Sequence, residues 1–146
     1  MRATGVLLAG ALLSIAARAH AQATAPDTLP AAVVQRFIDA ANARQLDAMM
    51  ATVAAGAVFA GLPDDGRSLS GRDSVRAQYA RMLAAMPAGY TVRVVSRIVD
   101  GAFVTDLESF AKPDGSPDGQ ATWIYYVTGG QVQRAWSLRQ PRTRRP

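Results

Sequence analysis

The sequence predicts a single α+β domain in which helices cover one face of an antiparallel sheet. Three segments in the first half of the chain carry apolar residues at the spacing of one helical face. Four segments in the second half have strand-like patterns and are joined by connectors rich in Gly, Pro and Asp. Helices followed by a run of neighbouring strands, with no internal repeat, indicate this layered class.

Three helices are expected in the first half. The first is capped by Asp27 or Thr28 and carries Pro30 in its first turn, where proline is tolerated. Residues 42–45 form a corner, a second helix ends at Gly56, and a third follows Gly71. The expected inner faces consist of Val33, Val34, Phe37, Ile38 and Ala41, then Leu46, Met49, Met50 and Val53, and finally Val75, Tyr79, Met82, Leu83 and Met86.

Five strands are expected. A short one at 58–62 ends in a Pro-Asp-Asp-Gly turn at 63–66, where we assign Asp64 and Asp65 to the turn and not to a metal site. The connectors after the next strands are Asp-Gly and Gly-Gly, which suit tight hairpin turns, and one looser loop. The four later strands span 90–99, 102–112, 120–128 and 132–139.

The first 21 residues have the organisation of a secretory signal peptide. Arg2 is followed by a short apolar segment at 6–17, and the motif Ala19-His20-Ala21 predicts cleavage after Ala21. The apolar segment is shorter than the roughly 20 residues of a membrane-spanning helix. We therefore expect a periplasmic or secreted protein without a membrane anchor, with a lead-in at 22–28 and the folded domain at 29–139.

The net charge of +5 and the pI near 10.4 do not predict nucleic-acid binding. Five of the 16 basic residues lie in the signal peptide or in the terminal segment 140–146, and the remaining 11 balance the 11 acidic residues. Nucleic-acid binders concentrate positive charge on one face of the folded domain. We expect 140–146 to be a disordered basic tail, and no nucleic-acid partner.

The side chains that most often carry catalysis and metal binding are missing from the predicted domain. His20 is the only histidine and would leave with the signal peptide, and the chain has no cysteine. This excludes His- and Cys-dependent nucleophiles and nearly all transition-metal sites, so no metal or cofactor is expected. Acid–base chemistry would need a carboxyl group with a raised pKa, a tyrosine, or the single Lys112.

Two stretches carry a family resemblance. Residues 32–48 read Ala-Val-Val-Gln-Arg-Phe-Ile-Asp-Ala-Ala-Asn-Ala-Arg-Gln-Leu-Asp-Ala, and residues 70–79 read Ser-Gly-Arg-Asp-Ser-Val-Arg-Ala-Gln-Tyr. This wording resembles the delta-5-3-ketosteroid isomerases and the wider nuclear transport factor 2-like superfamily, which includes the SnoaL-like polyketide cyclases. The resemblance implies a sheet curled into a cone, with a cavity between the sheet and the three helices.

The resemblance also allows the catalytic positions of the isomerases to be compared. Those enzymes use a carboxylate base, together with a tyrosine and a protonated aspartic acid that hold the enolate oxygen. By the resemblance the tyrosine falls on Phe37, the base on Gly61 and the aspartic acid near Trp123. Losing the base costs roughly 10²- to 10⁴-fold in rate, and losing an oxyanion donor roughly 10²- to 10³-fold. Ketosteroid isomerisation by that mechanism is therefore not expected.

Aromatic residues are the candidates for lining the implied cavity. Ligand cavities are mostly apolar with a few oriented polar groups, so this set would suit an apolar or aromatic small molecule. The alternative is that these side chains simply fill the core. The candidates are Phe37, Phe59, Tyr79, Trp123, Tyr125 and Trp136.

Asp106 and Glu108 are the one acidic pair on a predicted strand, and their spacing of two places them on the same face. If they faced the cavity, their repulsion would raise the pKa of one of them and create an acid–base candidate. Because Phe103 and Leu107 on the opposite face resemble core residues more closely, we expect the acids to face outward. Arg134 could then pair with either acid across neighbouring strands.

Three functions are compatible with these patterns. The preferred one is an exported SnoaL-like domain that binds a small apolar or aromatic molecule without catalysis and forms a homodimer through its sheet. The second is an isomerase, cyclase or lyase that uses Asp106 or Glu108 as the base and Tyr79 or Tyr125 to polarise an oxygen. The third is a protein-interaction module with a filled interior and an exposed sheet face.

Overall fold

The structure, a computed structural model, describes residues 26–62 and 66–138 of the chain. The predicted signal peptide, the acidic part of the turn at 63–66 and the predicted basic tail lie outside the described residues. None of the described helices combines the length and the apolar character needed to cross a membrane. The elements are a 3-10 turn Pro26–Thr28, α1 Pro30–Asn42, α2 Leu46–Ala51, β1 Val53–Ala60, β2 Ser68–Ser70, α3 Arg72–Ala85, β3 Thr91–Asp100, β4 Phe103–Ala111, β5 Pro117–Thr128 and β6 Gln131–Leu138.

Six strands form one curved, unclosed sheet in the order β2-β1-β6-β5-β4-β3. Strands β3 to β6 are an antiparallel meander, and Gly101 supplies the positive φ of 54° that its first tight turn requires. β1 pairs with β2 antiparallel and with β6 in parallel. The predicted class, a curved sheet packed against helices, is confirmed, and the β1–β6 pair is the parallel exception among the described strands.

The boundary between the second helix and the first strand differs from the prediction. α2 ends at Ala51, so Val53 and Gly56, which were assigned to the helix, lie in β1. Val53 is fully buried and pairs with Val132 of β6. The spacing of the apolar residues fits a helical face, but tertiary pairing overrides it, and a β-branched residue packs well on a sheet. The three-residue β2 has no periodic pattern and was not predicted.

Polar contacts from the corner after α1 fix the helices relative to each other and to the sheet. Arg44, which has a positive φ of 57°, donates to the carbonyl oxygens of Leu83 and Met86 at 2.8 Å each. Leu83 lies in the last turn of α3, where helical oxygens lack partners inside the helix, and Met86 directly follows that turn. Asn42 forms two hydrogen bonds with the backbone of Val92 on β3, at 2.9 and 2.8 Å.

The core lies between the helices and the face of the sheet that points toward them, which we call the inner face. On β4 the buried residues Val104, Asp106 and Glu108 alternate with more exposed ones. On β5 the same alternation buries Trp123 and Tyr125. Side chains of alternate residues point to opposite faces of a strand, so these five belong to the inner face and their neighbours to the outer face.

Candidate functional site

A cavity of about 1410 Å³ lies between α1, α3 and the inner face of the sheet, and it is partly open to solvent. Part of this volume lies at the open mouth, and the whole exceeds the roughly 300–1,000 Å³ of most ligand pockets, so it is large enough for a small organic molecule. Its wall has mixed polarity with apolar surface in slight excess, and its apolar and aromatic members include Phe37, Met49, Tyr79, Phe110, Trp123 and Tyr125. The cavity expected from the family resemblance is therefore present.

Phe37 is the centre of the aromatic wall. Its ring lies 5.4 Å from the ring of Tyr79 and 6.2 Å from that of Tyr125, edge to face in both cases. Trp123 extends the wall by stacking on Tyr125, with the ring centroids 5.7 Å apart and the planes 13° from parallel. These four predicted site residues line one cavity, although α1, α3 and β5 contribute them from distant parts of the sequence.

The other two aromatic candidates do not line the cavity. Phe59 is fully buried behind the wall, 6.1 Å from Phe37 between ring centroids. Trp136 lies on the outer face, because its cross-strand partner is Ile124 and not an inner-face residue of β5. Alternation along β6 decides this position, since the buried residues Ala135 and Ser137 flank Trp136.

Gly61, at the position of the isomerase base, is closed to any side chain. Its φ is 71°, a conformation that residues with a Cβ rarely adopt. A Cβ added there would lie 2.4 Å from the carbonyl oxygen of Ser137. The backbone therefore leaves no room for a carboxylate at this point.

The expected outward orientation of Asp106 and Glu108 is wrong. Both side chains point to the inner face, where Asp106 is 0% and Glu108 4% exposed. Phe103, which was taken as a core residue, is 45% exposed on the outer face. The fully buried Val104 begins the alternation that places both acids inside, but the bulkier Phe103 and Leu107 outweighed it in the sequence pattern.

Asp106 is neutralised by Arg97 of β3 and not by Arg134. Arg97 donates from Nε and Nη2 to the two carboxylate oxygens of Asp106, each at 2.7 Å. Its Nη1 also donates to the backbone oxygen of Ala31 and to Gln35 Oε1 on α1, at 3.2 Å each. The hydrogen bonds with Asp106 raise the pKa of Arg97. This ion pair therefore ties α1, β3 and β4 together.

Glu108 lines the cavity and forms no ion pair with any residue that the structure describes. The hydroxyl of Tyr125 donates to Glu108 Oε1 at 2.9 Å, and no other hydrogen bond to Glu108 is found among residues 26–62 and 66–138. Burial raises the pKa of Glu108 to about 7; the Tyr125 hydrogen bond opposes the rise, the charge of Asp106 adds to it, and Arg97 opposes it. Burial also raises the pKa of Tyr125, so its hydroxyl keeps its proton at neutral pH.

Asp118 is a second carboxylate on the cavity wall, and it is partly exposed. The hydroxyl of Tyr90 donates to Asp118 Oδ2 at 2.9 Å, and Lys112 Nζ lies 3.9 Å from Oδ1. The sequence did not single out Asp118, since it lies in the stretch predicted as a loose loop. In the described part of the chain, no three metal-ligating side chains come together.

The model of the SnoaL-like domain family matches residues 34–135, which is well over half of the chain. The chain belongs to the SnoaL-like family. No curated protein sequence matches it at a significant level. Many solved structures share the fold of this SnoaL-like protein, at identities low enough that the likeness concerns the fold alone.

Three of these structures illustrate the likeness. A candidate polyketide cyclase from Sinorhizobium meliloti is 22% identical, with a TM-score of 0.61 over 72% of this chain and 92% of that one. An NTF2-like protein of unknown function from Cytophaga hutchinsonii is 18% identical, with a TM-score of 0.63 over 77% and 91%. A candidate ketosteroid isomerase from Kribbella flavida is 19% identical, with a TM-score of 0.59 over 80% and 82%.

Proposed function

We propose that this SnoaL-like protein is an acid–base enzyme acting on a small apolar or aromatic molecule bound in the cavity. The observation that carries the proposal is the Glu108 carboxyl group on the cavity wall, which is buried, accepts a hydrogen bond from the Tyr125 hydroxyl and forms no ion pair within the described part of the chain. The proposed reaction class is isomerisation, cyclisation or elimination that begins at a C–H bond next to a carbonyl. This proposal takes the place of the non-catalytic binding function that the sequence favoured.

The environment of Glu108 suits proton transfer in both directions. A group whose pKa is about 7 exists in both protonation states near neutral pH, which is the condition for an efficient general base that must also return the proton. The Tyr125 hydroxyl occupies one carboxylate oxygen and leaves the other for the ligand. The rings of Phe37 and Tyr79 provide apolar surface against which a ligand can be oriented.

The proposal does not extend to the ketosteroid isomerase mechanism. Phe37 has no hydroxyl to place on an enolate oxygen, and Gly61 has no room for a base. Glu108 approaches the cavity from β4, whereas Gly61 lies just beyond β1 at the other side of the sheet order. A ligand would therefore be deprotonated from a different wall.

Hydrogen exchange tests the proposed base without knowledge of the natural substrate. The protein is incubated in D₂O with 2-tetralone, a bicyclic ketone, and deuterium incorporation next to the carbonyl is followed by NMR. We expect catalysed exchange in the wild type and in Asp118→Asn, which removes the other cavity carboxylate, and a loss of roughly 10²-fold or more in Glu108→Gln. Exchange that survives in Glu108→Gln, or that depends on Asp118, contradicts the proposal.

We also propose that the outer face of the sheet pairs with a second copy of the chain. Ile98, Ile124 and Trp136 lie in one cross-strand row through Thr105, and Ile98 is 68% exposed. An exposed apolar patch of this kind marks an interface. A homodimer formed through the sheet was part of the preferred sequence hypothesis, and it stays a proposal.

Charge complementarity selects a second copy as the partner. The next cross-strand row has Asp100 at one end and Arg134 at the other, with Phe103 and Tyr126 between them. A two-fold axis parallel to the strands would place each Asp100 opposite the Arg134 of the other copy. Sedimentation should show a dimer that Ile98→Asp dissociates and that Ala48→Asp, on the exposed side of α2, leaves intact; a monomeric wild type overturns the proposal.

Export to the periplasm or beyond stays a proposal that rests on the signal-peptide pattern of residues 1–21. The mass of the protein purified from its own host tests it. We expect the mature chain to begin at Gln22, and an intact Met1 on the folded protein contradicts it.

A further inference from the structure

The end of the cavity nearest the β4–β5 hairpin holds a carboxylate that the proposed reaction does not use. On β5, Pro117 pairs with Ala111 and Gly119 with Phe110, so Asp118 between them is the extra residue of a β-bulge. Gly119 accommodates the bulge with a φ of 121°, which residues with a Cβ rarely adopt. Bulges redirect side chains and are frequent next to functional sites. Here the bulged residue is the one that brings a charge to the cavity wall.

The protein holds one oxygen of the Asp118 carboxylate and leaves the other available. The hydroxyl of Tyr90 donates to Oδ2 at 2.9 Å, and no described residue donates a hydrogen bond to Oδ1. The nearest cation, Lys112 Nζ, lies 3.9 Å from Oδ1, and the side chain of Lys112 is 52% exposed. Such exposed, long ion pairs contribute little. Asp118 is therefore a positioned negative charge that a ligand can reach.

Aromatic surface adjoins this carboxylate. The rings of Tyr90 and Phe110 stack with their centroids 6.4 Å apart and their planes 24° from parallel, and both residues line the cavity. The face of an aromatic ring attracts a cation that lies within about 6 Å of its centroid. Tyr90, Phe110 and Asp118, which we call the hairpin end of the cavity, thus combine an anionic oxygen with aromatic rings.

The charges around the cavity have one sign. Among the described residues that line it, Glu108 and Asp118 carry carboxyl groups, and none is a lysine, arginine or histidine. The buried guanidinium of Arg97 is bound to both oxygens of Asp106 and is not part of the lining. A cleft lined by charges of one sign attracts ligands of the opposite sign. This lining disfavours carboxylates and phosphates and favours cations.

The two cavity carboxyl groups are far enough apart to contact different ends of one molecule. Glu108 pairs with Ala121 across β4 and β5, and Asp118 precedes Ala121 by three residues. At a rise of roughly 3.4 Å per residue, this places the two acids about 10 Å apart along the sheet. A ligand held at Asp118 can therefore extend toward Glu108.

We propose that the hairpin end of the cavity binds a protonated amine, so that the site selects amine-bearing aromatic molecules over neutral or anionic molecules of the same shape. The ammonium group donates to Asp118 Oδ1 and lies against the rings of Tyr90 and Phe110. The inference rests on the proposed function for the use of this cavity, but the binding itself requires no turnover. Asp118 is thus a specificity-determining residue of the site.

Calorimetric titration with three probes of one bicyclic frame tests the inference. The probes are 2-aminotetralin, which is a cation at neutral pH, the neutral 2-tetralol, and the anion tetralin-2-carboxylate. We expect the amine to bind about tenfold more tightly than the alcohol, and the carboxylate to bind most weakly. Raising the salt concentration should reduce the difference between amine and alcohol, because the site is partly open to solvent.

Two variants locate the charge that causes the preference. Asp118→Asn keeps an acceptor for the Tyr90 hydroxyl and removes the negative charge, so it should bind the alcohol as the wild type does and lose the preference for the amine. Asp114→Asn is the matched control, since Asp114 is an exposed carboxylate of the same hairpin that does not line the cavity. The preference should persist in Asp114→Asn and in Glu108→Gln.

Lys112 gives a second readout that leaves Asp118 unchanged. It is the only lysine, so reductive ¹³C-methylation labels it together with the α-amino group, and Lys112→Met identifies its NMR signal. We expect the amine to shift this signal and the alcohol to leave it in place, because the ammonium group and Lys112 share Asp118 Oδ1. Lys112→Met should bind the amine about two- to fivefold more tightly, since the competing cation is removed.

The outcomes separate this inference from the proposed function. Equal binding of amine and alcohol, no binding of any probe up to its solubility limit, or a preference that persists in Asp118→Asn and is lost in Glu108→Gln overturns the inference. 2-Tetralone carries no positive charge, so its hydrogen exchange is an independent test of Glu108. An amine preference at Asp118 with exchange independent of Glu108 refutes only the proposed function, and Glu108-dependent exchange without an amine preference refutes only this inference.

Discussion

Asp106 and Glu108 lie two residues apart on the same face of β4 and are both buried, yet their polar partners differ. Asp106 is enclosed and meets the planar guanidinium of Arg97 with both oxygens at 2.7 Å. Glu108 reaches the cavity and meets a neutral hydroxyl at 2.9 Å. The first carboxylate has a fixed ionic partner, while the second is buried and has one hydrogen bond among the residues that the structure describes.

The difference teaches why burial alone does not mark a functional acid. A buried carboxylate in an ion pair serves the fold, and removing its partner leaves an uncompensated charge. A buried carboxyl group without a cation has its pKa shifted toward neutrality, as at Glu108, where it rises to about 7. The second arrangement is the one that can exchange a proton under physiological conditions.

The largest expected effect comes from breaking the ion pair. Arg97→Met should lower the free energy of unfolding by about 3–5 kcal/mol, because the enclosed charge of Asp106 loses its partner. Urea denaturation at neutral pH measures it. Arg93→Met, an exposed position on the same strand, is the control and should stay within about 0.5 kcal/mol of the wild type. A small loss in both variants would show that Arg97 does not neutralise Asp106.

The pH dependence of stability should reveal the free-energy cost of ionising Glu108 in the folded protein. Its pKa is raised from 4.5 to about 7 in the folded protein, so the folded state binds this proton more tightly than the unfolded chain. Relative to Glu108→Gln, the unfolding free energy of the wild type should therefore fall as the pH rises from about 4.5 to about 7, by on the order of 3 kcal/mol, and level off above. All other titrating groups are common to the two proteins, so their contributions cancel when the two unfolding free energies are subtracted. If the free-energy difference between the wild type and Glu108→Gln does not change with pH, the raised pKa of Glu108 is contradicted.

Removing the Tyr125 hydroxyl, the uncharged hydrogen-bond partner of Glu108, should increase the difference between Glu108 and Asp106. In Tyr125→Phe the Glu108 carboxylate loses its hydrogen bond, so its pKa should rise further and stability at pH 8 should fall by about 1.5–3 kcal/mol. Glu108 is the only glutamate, so carboxyl-¹³C glutamate labelling gives one resonance whose titration reports this pKa directly. Tyr126→Phe, on the outer face of the same strand, should leave the titration unchanged. An unmoved midpoint in Tyr125→Phe would refute the contact.

The smallest expected effect concerns the hydrogen bond from Arg97 to Gln35 on α1. Gln35→Ala removes the 3.2 Å contact from Arg97 Nη1 and should cost about 0.5 kcal/mol or less, because solvent can replace it. Gln35 also donates to Asp39, so Asp39→Ala is the matched control that keeps the Arg97 contact. The Glu108 titration should be the same in both variants, and a shift confined to Gln35→Ala would show that α1 tunes the cavity acid.

Prediction from the sequence succeeded where a local pattern and a burial pattern agree. The helical spacing around Phe37 and Tyr79 and the meander of the later strands were anticipated close to their observed bounds. It failed at Val53, because an apolar residue fits a helical face and a strand equally well until β6 is present to pair with it. It failed again at Phe103, whose bulk suggested a core position although the outer face leaves it exposed.

The sequence alone determined the layered α+β class, the aromatic content of the wall and the lack of histidine and cysteine chemistry in the domain, because composition and periodicity are local properties. Only the tertiary structure decided which acid pairs with Arg97 and which faces the cavity. It also decided that Gly61 has no space for a side chain. The physical reason is that strand register and sheet curvature decide which face each side chain occupies, which residues it contacts and how far solvent reaches it. Register and curvature arise from contacts between residues far apart in the chain.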